Sequence, residues 1–157
     1  QGAMGSDAQI GRTAALDAEF AKGTMKKVIQ QTATWDEAEA KKIVESVINS
    51  GEKFNVIYAE NDGMAKGAVA ALDEAGITHG VKGDVIVMGF DCNKWALREL
   101  LAGNWNYDGQ CSPFQAAVIE NMIKTGKVTS KKVISEEKGF DAKTITKADI
   151  DTYGLGD

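Results

Sequence analysis

The segment Phe54-Asn-Val-Ile-Tyr-Ala-Glu-Asn61-Asp62-Gly63-Met64-Ala65-Lys66-Gly67-Ala68 constrains this chain more than any other. Val56, Ile57 and Tyr58 form the β-branched and aromatic run of a strand. The run stops at Asn61-Asp62 and turns directly into a helical pattern. Asp62 is expected to cap the helix that opens with Gly63 and Met64. A second strand, Asp84 to Phe90, ends on an aromatic residue followed by Asp91. A third, short strand is expected from Trp105 to Cys111. Helices from Gly63 to Ala75 and from Lys94 to Ala102 separate these strands, and Gly76 and Gly103 stop them. Strands alternating with helices of this length imply parallel pairing through helical crossovers. The predicted fold is α/β: a doubly wound parallel sheet of the Rossmann-like kind.

The flanking regions fit the same rhythm. Asp7 to Ala21 reads as a helix with Ile10, Leu16 and Phe20 toward the core. Met25 to Thr32 reads as a strand. Asp36 to Asn49 carries Ala40, Ile43, Val44 and Val47 at helical spacing, with Thr34 and Glu37 as a capping box. Ser112 to Lys124 reads as a helix and Lys132 to Glu136 as a further strand. Thr146-Lys-Ala-Asp149 has the pattern of a capping box opening a last short helix.

Ligands of open α/β sheets gather at the carboxyl ends of the strands. Asn61, Asp91 and Gln110 all fall at such ends. An amide offers donors and acceptors together, and a carboxylate accepts strongly from hydroxyl groups. Phe90 adds an aromatic face. This combination suits a sugar ring. Asp62 is expected to serve the helix rather than the ligand, and Tyr107 and Asp108 are weaker candidates. Trp35, Trp95 and Trp105 read as packing residues. His79, the single histidine, reads as a solvated loop residue.

Other function classes find little support. The chain has 157 residues, a net charge of −5 and 26% charged residues. That balance lacks the basic stripe nucleic acid would need. No run of about eighteen apolar residues is present to span a membrane. Phosphate-loop, Gly-x-Ser-x-Gly, His-Glu-x-x-His and Cys-x-x-Cys patterns are absent, so no enzyme activity, cofactor or metal is expected. Cys92 and Cys111 fit no metal spacing and read as separate thiols, with a disulfide as the sharper alternative.

The motifs Asn61-Asp-x-Met64-Ala-x-Gly67-Ala68 and Gly89-Phe-Asp91 together resemble the periplasmic sugar-binding proteins of ABC transporters, of the ribose- and galactose-binding kind. Arg12-Thr-Ala-Ala-Leu16 is similar to the helix that opens that family's C-terminal lobe. Gln1-Gly-Ala-Met-Gly5 and Gln110-Cys-Ser-Pro113 look like the galactofuranose-binding branch. Residues 2–6 also look like the scar of a cleaved tag, which would make Asp7 the first native residue; the native reading is preferred because Gln1, Gly2 and Gly5 fall in the family's register. The resemblance implies a type I periplasmic-binding-protein lobe. Residues 1–112 would be the C-terminal ligand-binding lobe. Residues 113–157 would be a hinge crossover, passing Pro113, and a tail packed partly on an N-terminal lobe.

By the same resemblance, Arg12, Asn61, Phe90, Asp91 and Gln110 would contact a monosaccharide: a pentose, a hexose or a galactofuranose-like sugar. The implied partners are the N-terminal lobe of the same protein and an ABC permease, with no nucleic acid. The implied setting is periplasmic or extracellular, with or without a lipid anchor on the outer face of the membrane. The alternative is the effector domain of a lactose-repressor-type regulator, which shares the fold and the Asn-Asp-x-Met-Ala pattern.

Overall fold

Three parallel strands set the frame of the computed structural model, which describes residues 1–112, 115–127 and 136–156. They are β1 (Val56–Tyr58), β2 (Ile86–Asp91) and β3 (Tyr107–Gln110), joined by α3 (Asp62–Glu74) and α4 (Lys94–Ala102). Val56 is in register with Ile86, and Asp91 with Gln110. A fourth strand, β4 (Gly139–Asp141), pairs antiparallel with β3, giving the order β1-β2-β3-β4. The sheet is therefore mixed at one edge rather than wholly parallel. β4 was not expected: its Gly-Phe-Asp is too short to show a period of two. The expected Lys132–Glu136 strand lies almost entirely outside the described residues, as does Pro113.

One face of the sheet carries the core. Val85 and Val87 pack with Ala65, Leu72, Ala96, Leu97, Leu100 and Trp105, all buried. Trp95 closes on Trp105 edge to face, with ring centroids 5.9 Å apart, so both tryptophans pack as predicted. Helix α2 (Glu37–Asn49) lies on α3. Gly67 makes that approach close, because a Cβ there would overlap the Glu37 carbonyl. The α2 cap is Asp36, which accepts from the Glu39 amide. Thr34 was expected in that role but has a φ of 53°, outside the extended geometry a cap requires.

Helix α1 (Asp7–Phe20) is capped by Ser6. It lies toward the opposite face, where Tyr58 donates to the Arg12 carbonyl. Its inward residue is Gln9, and Ile10 is exposed rather than buried. Residues 25–32, expected as a strand, form none, since a strand needs a hydrogen-bonded neighbour along its length. Helix α5 (Gln115–Thr125) ends within one residue of the expected Lys124. Helix α6 (Lys147–Tyr153) opens with the predicted Thr146–Asp149 capping box.

Candidate ligand-binding edge

Parallel pairing puts the carboxyl ends of β1, β2 and β3 side by side, so Asn61, Asp91 and Gln110 come to one edge of the sheet. Arg12 reaches over this edge from α1. Its guanidinium donates to the Glu60 carbonyl and, at 3.0 Å, to Asp91 Oδ1. The same group lies over the Phe90 ring, 4.9 Å from its centroid, and beside Trp35 at 5.8 Å. Phe90 in turn meets Tyr58 edge to face at 5.3 Å. Gly109 leaves room for this ring, because a Cβ there would come within 2.6 Å of it. Arg12, Phe90 and Asp91 thus form one cluster: a cation fixed between a carboxylate and aromatic faces.

Asn61 takes the cap expected of Asp62. Asn61 is the N-cap of α3 and accepts from the Met64 amide at 2.8 Å. Asp62 is the first helical residue, fully buried, and its Oδ2 accepts from the Asn93 backbone and side chain. The residue one step earlier has the extended backbone a cap needs, and both amide and carboxylate can fill it. Gln110 is also more committed than expected. Its Oε1 accepts from the Lys138 amide, which ties it to the segment leading into β4.

Two side chains of this edge escaped the sequence reading. Glu60, buried, accepts from the Gly2 amide and the Thr13 hydroxyl. Trp35 is half-buried rather than fully in the core. Its ring occupies the space a Cβ on Gly2 would need. A glutamate closing an apolar strand was the available signal for the first. Nothing in the local sequence of Trp35 pointed to the cleft side. Residues 1–6 are integrated with this edge, through Gly2 under Trp35 and Ser6 as a cap.

The turn that carries Asp91 is held under tension. Asp91 has a φ of 114° and Cys92 of 60°, a region that side chains other than glycine occupy at a cost of roughly 1–3 kcal/mol each. Three contacts hold it. Asp62 grips Asn93, the Leu155 amide donates to the Cys92 carbonyl, and the Lys94 amide donates to the Leu155 carbonyl. The tail of the chain thereby braces the turn.

Beneath it lie two buried carboxyl groups. Among the described residues, no donor in good geometry reaches Asp62 Oδ1 or either oxygen of Asp108. The Cys92 backbone and thiol lie alongside Asp108. Burial raises the pKa of both acids, and for Asp108 the charge of Asp62 adds to the rise. Unpaired buried carboxylates are costly, so burial favours the protonated form of both groups. Asp91 is raised by burial and pulled back by Arg12. Burial pushes the Cys92 thiol up strongly. Cys92 is buried, Cys111 exposed, and both are free thiols, as the spacing suggested. His79 is no simple loop residue: its ring bridges the Asn104 carbonyl and the Asp73 carboxylate.

Comparison with known families matches residues 1–125 to the periplasmic binding protein domain. The chain belongs to this family. A fructose import binding protein of Bifidobacterium longum is 32% identical over 128 residues, covering 78% of this chain and 38% of that protein. The galactofuranose-binding protein of Escherichia coli is 25% identical over 144 residues, covering 87% of this chain and 45% of that one. Among solved structures, the binding component of the arabinose ABC transporter of Shewanella sp. ANA-3, bound to α- and β-L-arabinofuranose, superposes with a TM-score of 0.83. It is 26% identical, over 98% of this chain and 52% of that one. The chain thus spans about half the length of the relatives it matches, and the fold agrees with theirs.

Proposed function

We propose that this chain is the C-terminal ligand-binding lobe of a solute-binding protein that delivers a monosaccharide to an ABC importer. The observation that carries the reading is the cluster of Arg12, Phe90 and Asp91 at the carboxyl end of the sheet. Asp91 Oδ1 is taken by Arg12, which leaves Oδ2 to accept from sugar hydroxyls. Asn61 offers its Nδ2, since its Oδ1 caps α3. The rings of Phe90 and Trp35 flank the guanidinium and supply apolar surface for the C–H face of a sugar. Gln110, bonded to the Lys138 amide, acts near the crossover between lobes.

The sugar would sit between this edge and an N-terminal lobe. Contacts to both lobes would favour the closed state, and that closed form would dock on a membrane permease. No bond of the sugar changes, and the named relatives are import and binding proteins. This favours transport over the regulator reading. The setting is periplasmic or extracellular, and a lipid anchor would hold the protein at the membrane surface. The sugar class is a pentose, a hexose or a galactofuranose-like ring.

Titration calorimetry of the full-length protein against a panel of pyranose and furanose sugars tests the reading. Micromolar or tighter binding of one sugar, lost in Arg12→Ala and Asp91→Ala, is the expected result. Binding of no sugar, or binding indifferent to both substitutions, overturns it.

A further inference from the structure

Glu60 lies just beyond β1 with its side chain shut away from solvent: the residue is 1% exposed. A carboxylate so buried needs its oxygens filled. Its Oε2 accepts from the Gly2 amide at 2.7 Å, and its Oε1 accepts from the Thr13 hydroxyl. The Thr13 oxygen itself accepts from Gln1 Nε2 and Gln9 Nε2, both at 2.8 Å. Gln9 cannot turn its amide round, because its Oε1 accepts from the Gly5 amide. With both lone pairs of the hydroxyl used, its one proton goes to Glu60. A backbone amide only donates, so Gly2 also requires an acceptor. Both side-chain oxygens at position 60 must therefore accept. A carboxylate meets that demand and a primary amide does not.

These bonds join separate segments to the end of β1. Thr13 follows Arg12 on α1, and the Arg12 guanidinium donates to the Glu60 carbonyl and to Asp91. Fixing Thr13 fixes the point from which Arg12 reaches. Gly2 carries the Trp35 ring, since a Cβ there would come within 2.1 Å of it. The Gly2 carbonyl accepts from the Thr32 hydroxyl at 2.6 Å, and that hydroxyl accepts from the Thr34 amide at 3.1 Å. Thr34 and Trp35 have φ values of 53° and 69°. Residues other than glycine seldom occupy that region, and such a turn persists only where its surroundings hold it.

We propose that Glu60 is the positioning residue of the candidate edge. By holding Gly2 and Thr13 together, its carboxylate sets the Trp35 ring and the Arg12 guanidinium against one another, and so sets sugar affinity without touching the sugar. Direct contact with a ligand is the poorer account, since the side chain has almost no open surface and both oxygens are taken. The effect on affinity rests on the sugar reading. The placement of Trp35 and Arg12 does not.

Glu60→Gln, Thr13→Val and Thr13→Ser, each made in the full-length protein, test it. Two magnetic resonance signals are read without sugar: the indole N–H of Trp35, assigned with Trp35→Phe, and the Nε–H of Arg12, assigned with Arg12→Lys. Calorimetry then reads affinity for the sugar that the wild type binds. Glu60→Gln should shift both resonances and weaken binding about tenfold, the worth of one charge-assisted hydrogen bond. Thr13→Val lacks the hydroxyl and should act alike, whereas Thr13→Ser keeps it and should match wild type. Glu60→Gln with Thr13→Val should bind no more weakly than the worse single variant, because both break one bond. A merely structural role would lower the melting temperature and leave both resonances in place. Resonances unmoved in Glu60→Gln and Thr13→Val overturn the proposal, as do affinity losses that add in the double variant. Should Glu60→Gln fail to fold, the two Thr13 variants carry the same test. A wild type that binds no sugar refutes the sugar reading instead, and the resonances still decide the positioning.

Discussion

Replacing Asp108 by asparagine should remove a pH dependence of folding that the buried acid pair builds in. Burial raises Asp108 above the ordinary range near pH 4, so the folded chain keeps a proton there that the unfolded chain has released. Stability changes with pH in proportion to protons bound unfolded minus folded. Between the ordinary range and the raised folded value that difference is about minus one. Stability therefore falls as pH rises, by about 1.4 kcal/mol per pH unit. From about pH 5 to about pH 7 that proton costs roughly 3 kcal/mol. The asparagine side chain is isosteric with the carboxyl it replaces, cannot ionise and can donate to Asp62 Oδ1. Asp62 is raised by its own burial in both proteins and so cancels in the comparison. Asp91 is raised in both proteins and cancels in the comparison. Urea unfolding of wild type and Asp108→Asn across this range should show the variant gaining about 3 kcal/mol relative to wild type. Parallel stability curves would refute the proton held on Asp108.

Asp91→Ala should weaken sugar binding by the full-length protein by about a hundredfold or more, since a charge-assisted hydrogen bond contributes about 1.5–3 kcal/mol and about 1.4 kcal/mol is tenfold; calorimetry reads this directly. Gly67→Ala puts a Cβ into the Glu37 carbonyl and should cost about 1–3 kcal/mol by overpacking α2 against α3, measured as a lower urea midpoint at unchanged slope. Thr146→Ala breaks the capping box of α6 at about 1 kcal/mol. Because that helix leads to Leu155, which braces Cys92, hydrogen exchange at Cys92 and Asn93 should quicken as well.

Much of the architecture was readable because apolar runs and helical spacing agree with the elements they form. β1, β2, β3, α3 and α4 fall where their sequences place them, within a residue or two at most ends. The gathering of Asn61, Asp91 and Gln110 followed from parallel pairing alone. What could not be read depends on distant partners. Met25 to Thr32 has the composition of a strand, yet pairing is a property of the neighbour. Asn61 and Asp62 are chemically alike as caps, and only the backbone angle chooses between them. Trp35 faces Arg12 because Gly2, far away in sequence, leaves a gap for its ring. Asp108 gave no local sign that a buried acid, Asp62, lay opposite.

On the proposed binding role of Asp91, its left-handed backbone sets stability and binding in opposition at one position. Glycine would adopt that conformation without the steric cost a Cβ carries. A laboratory selection that rewards only heat resistance would therefore drift toward Asp91→Gly. The survivors would be sturdier proteins that had discarded the carboxylate facing Arg12. Any programme to harden this scaffold as a sugar sensor must screen for occupancy alongside temperature, and leave that turn alone.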